Sequence, residues 1–183
     1  MKRFWIHGIV ALALAATAGA LRAQQPGSGQ ANEVDYARYE GRYYEMARLP
    51  TSKERDCASD VVTTFIRRTD GDASVIFQCF EEDGTWLMDV GLLRVKSSTA
   101  GRGEIEFRAD LIGLNPWYWG TYNLIELASD FDHAMFGSPD RSQLWILSRT
   151  RKMAGDTYQR LLGIAGERGY DTARLVRPVQ KGI

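Results

Sequence analysis

Histidine and cysteine are the scarcest reactive residues in this chain, with two of each among 183 residues. His7 lies in an amino-terminal segment expected to be removed, which leaves His133 as the one imidazole. A metal site needs several His or Cys ligands, so none is assigned. A Ser-His-Asp centre would need His133 as its base, yet no Gly-x-Ser-x-Gly elbow is present and Ser138 sits in a Ser-Pro-Asp turn. Carboxylates are plentiful, but nothing in their spacing singles out an acid/base pair. No catalytic residue, metal or cofactor is therefore expected. Runs of basic residues are absent too, since 23 Lys and Arg stand against 23 Asp and Glu without a cluster. That excludes a nucleic-acid partner read from charge and a polybasic membrane patch. Long apolar runs are also missing: the best, residues 8–21, is closed by Arg22, short of the roughly 20 residues a membrane span needs.

That short run has another reading. Lys2-Arg3 precedes it, its end carries Ala18 and Ala20, and Ala23 follows, the charged, apolar and small-residue order of a secretory signal peptide. Residues 1–23 are the expected signal, cleaved near Ala23. Residues 24–33, with Pro26, Gly27, Ser28 and Gly29, are the expected flexible leader. Taking Lys2, Arg3 and Arg22 from the 23 basic residues leaves 20 against 23 acidic, a mildly acidic exported domain expected over residues 34–180.

Within that domain the pattern is β. Gly41-Arg42-Tyr43-Tyr44-Glu45-Met46-Ala47-Arg48 reads as the first strand. Period two puts Tyr43, Glu45 and Ala47 on one face and Tyr44, Met46 and Arg48 on the other. Neither face is purely polar, as expected of a wall with a cavity inside and packing outside. Strands are expected at residues 60–68, 73–80, 86–95, 104–110, 117–127, 133–136 and 143–149. Asp70-Gly71 and Asp83-Gly84 mark hairpins. Eight strands at hairpin spacing, with no crossover helix between them, predict an all-β, antiparallel, up-and-down barrel. One helix is expected, at residues 156–168, where Tyr158, Leu161, Leu162 and Ala165 form an apolar stripe and Gly169 ends it. It should pack on the outside of the barrel. Residues 175–179 could add a last short strand.

Cys57 and Cys79 form an even pair in a chain expected to enter an oxidising compartment, so they read as one disulfide, with two unpaired thiols as the alternative. Residues 51–56 should form a polar loop over the barrel mouth.

Three segments then carry a likeness. Gly41-x-Tyr43-Tyr44-Glu45 resembles the first-strand motif of lipocalins, Tyr122-Asn123-Leu124-Ile125-Glu126-Leu127 their second conserved region, and Leu144-Trp145-Ile146-Leu147-Ser148-Arg149 their third. The likeness runs over residues 34–180 and looks closest to bacterial outer-membrane lipocalins related to apolipoprotein D. It departs twice: Tyr43 stands where the family has tryptophan, and the lipid-anchoring cysteine of many bacterial relatives is missing. The resemblance implies that Tyr43 plugs the barrel floor with Arg149 packed across it, that the protein is periplasmic, and that it carries a fatty acid or a lysophospholipid. Period two nominates Glu45, Ala47, Phe77, Trp86, Phe107, Tyr122 and Trp145 for the cavity wall. Glu45 is weighed as a satisfied internal group or a head-group anchor, and the aromatics equally as plain core. Trp117-Tyr118-Trp119 is a candidate lid, homodimer contact or covered strand start, and peripheral contact with the outer membrane stays open. The rival functions are a lipocalin-fold enzyme acting through Glu45 or a tyrosine, and a filled barrel that serves as an interaction partner.

Overall fold

The computed structural model describes residues 39–52, 54–96, 104–108 and 119–182, and of these the side chains at 95, 96, 104–108 and 119 fall outside the description. The expected signal and leader, the domain's start before Tyr39, residues 109–110 and the pair Trp117-Tyr118 also lie outside the described residues.

The strands are β1 (Gly41–Arg48), β2 (Ser59–Arg67), β3 (Ala73–Phe80), β4 (Trp86–Lys96), β5 (Glu104–Arg108), β6 (Trp119–Leu127), β7 (His133–Gly137) and β8 (Leu144–Ser148). They close in sequence order into a barrel, every neighbouring pair antiparallel, with β8 returning to β1. Two connections follow from their turn residues. Gly71 and Gly84 adopt φ of 89° and 87°, which the preceding aspartates announce.

Period two fails in β1, and a bulge is the cause. Tyr44 and Glu45 pair with Ser148 and Leu147, but Ala47 pairs with Ile146, so one extra residue is accommodated between Glu45 and Ala47. Met46 and Ala47 both pack outward, in the same cluster as Ile146 and Leu161. Arg48 swings to the inner face, opposite Trp145. The expectation that Ala47 shares the inner face with Tyr43 is corrected: Ala47 is fully buried on the outer side.

A second bulge lies in β2 between Ser59 and Val62. The β1–β2 ladder is registered only from Gly41 opposite Phe65 to Tyr44 opposite Val62. Just beyond it, the amide Nε2 of Gln180 donates to the carbonyls of Glu45 at 2.9 Å and Val61 at 3.1 Å. A carboxy-terminal side chain thus satisfies acceptors that the broken ladder leaves. Val176 and Val179 touch the sheet through single bridges to Arg48 and Ser59, so the last strand expected at residues 175–179 is a strap with a 3-10 turn (Thr172–Arg174) before it.

Helix α1 (Gly155–Glu167) lies over the outside of the barrel, burying Tyr158, Leu161 and Ala165 against a layer that holds Met135, Leu144 and Ile146. It stops because Gly169 takes φ of 83°, while Nε of Arg141 donates to the Arg168 carbonyl at 2.8 Å. A separate core fills the floor of the barrel: Tyr39, Tyr43, Phe65, Phe131, Phe136 and Leu147.

Candidate functional site

Above the aromatic floor the barrel holds a cavity of about 410 Å³, within the ~300–1,000 Å³ usual for small-molecule sites. Its apolar wall includes Phe65, Val75, Phe77, Leu93, Phe136 and Leu147. The ladder explains the set. Phe77 stands between Thr63 and Asp89, and Val75 between Phe65 and Gly91, and these residues alternate inward on three successive strands.

The same register sends Trp86 and Met88 the other way. Trp86 pairs with Phe80 and is 50% exposed. Its expected place on the cavity wall is corrected: Asp89 and Leu93 are the inward positions of β4, and an aromatic ring on the opposite parity cannot reach the interior. Phe77, Tyr122 and Trp145 do line the cavity. Phe107 stands opposite Leu93 and Gly120 in the ladder, and its side chain lies outside the described residues.

Tyr122 and Trp145 meet edge to face at a centroid distance of 5.2 Å. The Tyr122 hydroxyl donates to Oε1 of Gln143 at 2.8 Å. Its ring lies over Gly120, where an added Cβ would fall 2.6–2.8 Å from the ring and its hydroxyl. Gly120 is the reason the tyrosine can lie along the wall.

Glu45 has another place than a free wall residue. It is wholly buried and does not line the cavity, and its Oε1 accepts from Nη1 of Arg48 at 2.7 Å. Arg48 also donates through Nη2 to the carbonyls of Glu54 and Cys57, and its Nε lies 3.6 Å from Oε2 of Glu54. Glu54, unlike Glu45, does line the cavity. It accepts from Nε1 of Trp145 at 3.0 Å and from the Thr51 hydroxyl at 2.8 Å. Burial, with the nearby Glu54 carboxylate adding to it, pushes Glu45 up from 4.5 to about 8, against the opposing pull of Arg48. A neutral Glu45 leaves Arg48 to balance Glu54.

The floor joins Gly41, Tyr43 and Arg149. The Arg149 guanidinium lies 4.0 Å over the Tyr43 ring, and the Tyr43 hydroxyl donates to the Phe131 carbonyl at 3.1 Å. Burial pushes the Tyr43 phenol up to about 12. Tyr39 stacks on Tyr43 at 5.2 Å and meets Phe65, Phe131 and Phe136 edge-on.

Cys57 and Cys79 are joined as a disulfide, packed with Val61, Phe77 and Leu87. It ties the loop after β1 to the top of β3. That loop contributes Pro50, Thr51, Ser52 and Glu54 to the lining, whereas Asp83 and Gly84 of the next hairpin on that side are not part of it. His133 begins β7 on the outer side, where its Nε2 lies 2.9 Å from Arg160. Among the described residues no group of three or more His, Cys, Asp or Glu is arranged to hold a metal ion.

Sequence reasoning missed Glu54 and Asp89 at the cavity, Arg48 behind it, and Tyr39 in the floor. Asp89 and Arg48 become readable only once register and bulge are known. Glu54 sits in an irregular loop, where no periodicity reports direction.

The lipocalin-like domain family matches residues 34–180. The chain is 33% identical over 152 residues to the outer membrane lipoprotein Blc of Escherichia coli K12, covering 82% of each chain. It is 30% identical over 152 residues to temperature-induced lipocalin-1 of Arabidopsis thaliana, covering 80% of each. Among solved structures, lobster apocrustacyanin A1 superposes with a TM-score of 0.63 at 17% identity over 81% of both chains.

Proposed function

The chain belongs to the lipocalin family, and on that premise we propose that it binds and carries a single-chain lipid, a lysophospholipid or a fatty acid, in the bacterial envelope. The cavity above the aromatic floor is the observation that carries this reading. Phenylalanine, valine and leucine side chains make its lower wall and polar side chains gather at its mouth, the arrangement that seats an acyl chain below and a head group above. Burying the chain contributes about 0.8 kcal/mol per methylene before ordering costs are subtracted. Phe77, Tyr122 and Trp145 form the ligand's aromatic contacts. Tyr43 and Arg149 close the floor.

Residues 1–23 act as an export signal and the mature domain works in the periplasm, in keeping with relatives named as outer membrane lipoproteins. The disulfide supports this reading, since such bonds persist in oxidising compartments. Contact with the outer membrane and self-association are compatible with it.

Native mass spectrometry tests the carrier role. Protein prepared from the periplasm and incubated with a lysophospholipid should show one added lipid of unchanged mass, released intact. Conversion of that lipid to a smaller product would favour the enzyme instead.

A further inference from the structure

We propose that the cavity takes a ligand with a cationic head, an ammonium group held at the mouth by the carboxylates of Glu54 and Asp89 and by the rings of Trp145 and Tyr122. This rests on the single-chain lipid reading and specifies the head group that such a site prefers.

Among the described residues, the charges near the cavity have one sign on its surface and the other behind it. Glu54 and Asp89 both line the cavity, and among the described lining residues none is Lys, Arg or His. Arg48 stands behind the lining and offsets part of the Glu54 charge from there. Its Nη1 is on Glu45, its Nη2 is on two carbonyls, and only Nε approaches Glu54, at 3.6 Å. An anionic head would meet carboxylates first and reach the guanidinium only by displacing them.

Glu54 is also held ready. Trp145 Nε1 and the Thr51 hydroxyl both donate to it, and the residue is 8% exposed, so little ordering is needed when a partner arrives. The indole that fixes Glu54 is the one that meets Tyr122 edge to face, and both rings line the cavity. A carboxylate beside aromatic rings is the chemistry that recognises quaternary ammonium groups. Asp89, opposite Phe77 on β4, adds a second carboxylate on another strand.

The ammonium could belong to a zwitterionic lipid or to a simple cationic amphiphile. Calorimetric titration of the mature, oxidised protein at neutral pH with dodecyltrimethylammonium, lauroyl lysophosphatidylcholine, laurate and monolaurin, all below their micelle concentrations, separates these. The cation should bind about tenfold more tightly than laurate, with neutral monolaurin between them. Lysophosphatidylcholine matching the cation assigns the ammonium to a zwitterionic lipid, and a clear preference for the cation assigns it to a cationic amphiphile. In Asp89→Asn, whose site is exposed, and in Glu54→Gln, which retains an oxygen for Trp145, the gap between cation and laurate should narrow. Equal binding of laurate and the cation, or a gap unchanged in both variants, would overturn the head-group assignment while leaving the lipid carrier standing. Failure of monolaurin and of every other probe to bind would remove the carrier reading as well.

Discussion

Arg149 lies over the ring of Tyr43 at 4.0 Å, and a Cβ at position 41 would come within 2.7 Å of its Nη1. Gly41, at φ of 109°, thus meets a backbone requirement and clears the guanidinium's seat. The Gly-x-Tyr spacing is the footprint of this packing. Gly41→Ala should destabilise the protein by roughly 1–3 kcal/mol through positive-φ strain and displacement of Arg149. Urea denaturation measures it, and a variant as stable as the parent would separate the motif from the floor.

The tie between Cys57 and Cys79 spans 22 residues. A closed loop of that size contributes on the order of 3 kcal/mol by restricting the unfolded chain. The double variant Cys57→Ser/Cys79→Ser should lose about that much in chemical denaturation, and its mouth loop should exchange amide hydrogens faster. An unchanged midpoint would mean that the bridge adds little to a barrel already closed.

Glu45 gives the fold an unusual pH dependence. The folded chain keeps a proton on this carboxyl up to about pH 8, whereas the unfolded chain releases it near 4.5. The native state therefore binds more protons in that window, and the stability contributed by the group is full below pH 4.5 and is lost as pH rises through about 8. Glu45→Gln imitates the neutral carboxyl and should flatten that decline, leaving the variant relatively more stable on the alkaline side. Denaturation midpoints across the window test it; parallel profiles for parent and variant would show Glu45 ionised throughout.

Gly120→Ala should push the Tyr122 ring off the wall, since the new methyl would fall within 2.8 Å of it. Displacing a ring that lines the cavity should weaken lipid binding by about tenfold while costing about 1 kcal/mol or less of stability, overpacking at a partly exposed site being cheaper than in a closed core. Binding as tight as in the parent would place the ligand away from Tyr122.

The strands were legible because their causes are local. Asp70-Gly71 and Asp83-Gly84 set hairpins, and Gly169 marks the end of the helix, which runs over Gly155–Glu167 against the expected 156–168. Strands closing in order needed only hairpin spacing. The site was less legible because it depends on parity, and parity is carried by register. One inserted residue in β1 turned Ala47 outward and Arg48 inward, and no feature of Glu45-Met46-Ala47 announces that insertion. Trp86 failed differently: a large aromatic was given an inward place, yet its pairing with Phe80 fixes it outside. Phe77 and Trp145 line the cavity because regular ladder pairing carries their inward direction. The contact of Gln180 with Glu45 and Val61 joins residues 135 and 119 positions apart, a distance over which periodicity says nothing.

A titration with lysophospholipid, followed by intrinsic fluorescence in the oxidised parent and in Trp145→Phe, tests the carrier reading most directly. Trp145 is an indole on the cavity wall, so the account predicts saturable quenching near one equivalent in the parent. In Trp145→Phe most of that signal should vanish while calorimetric affinity stays within about tenfold. No saturable response in either protein, with calorimetry equally silent, would contradict lipid carriage and leave the barrel's function to its outer surface.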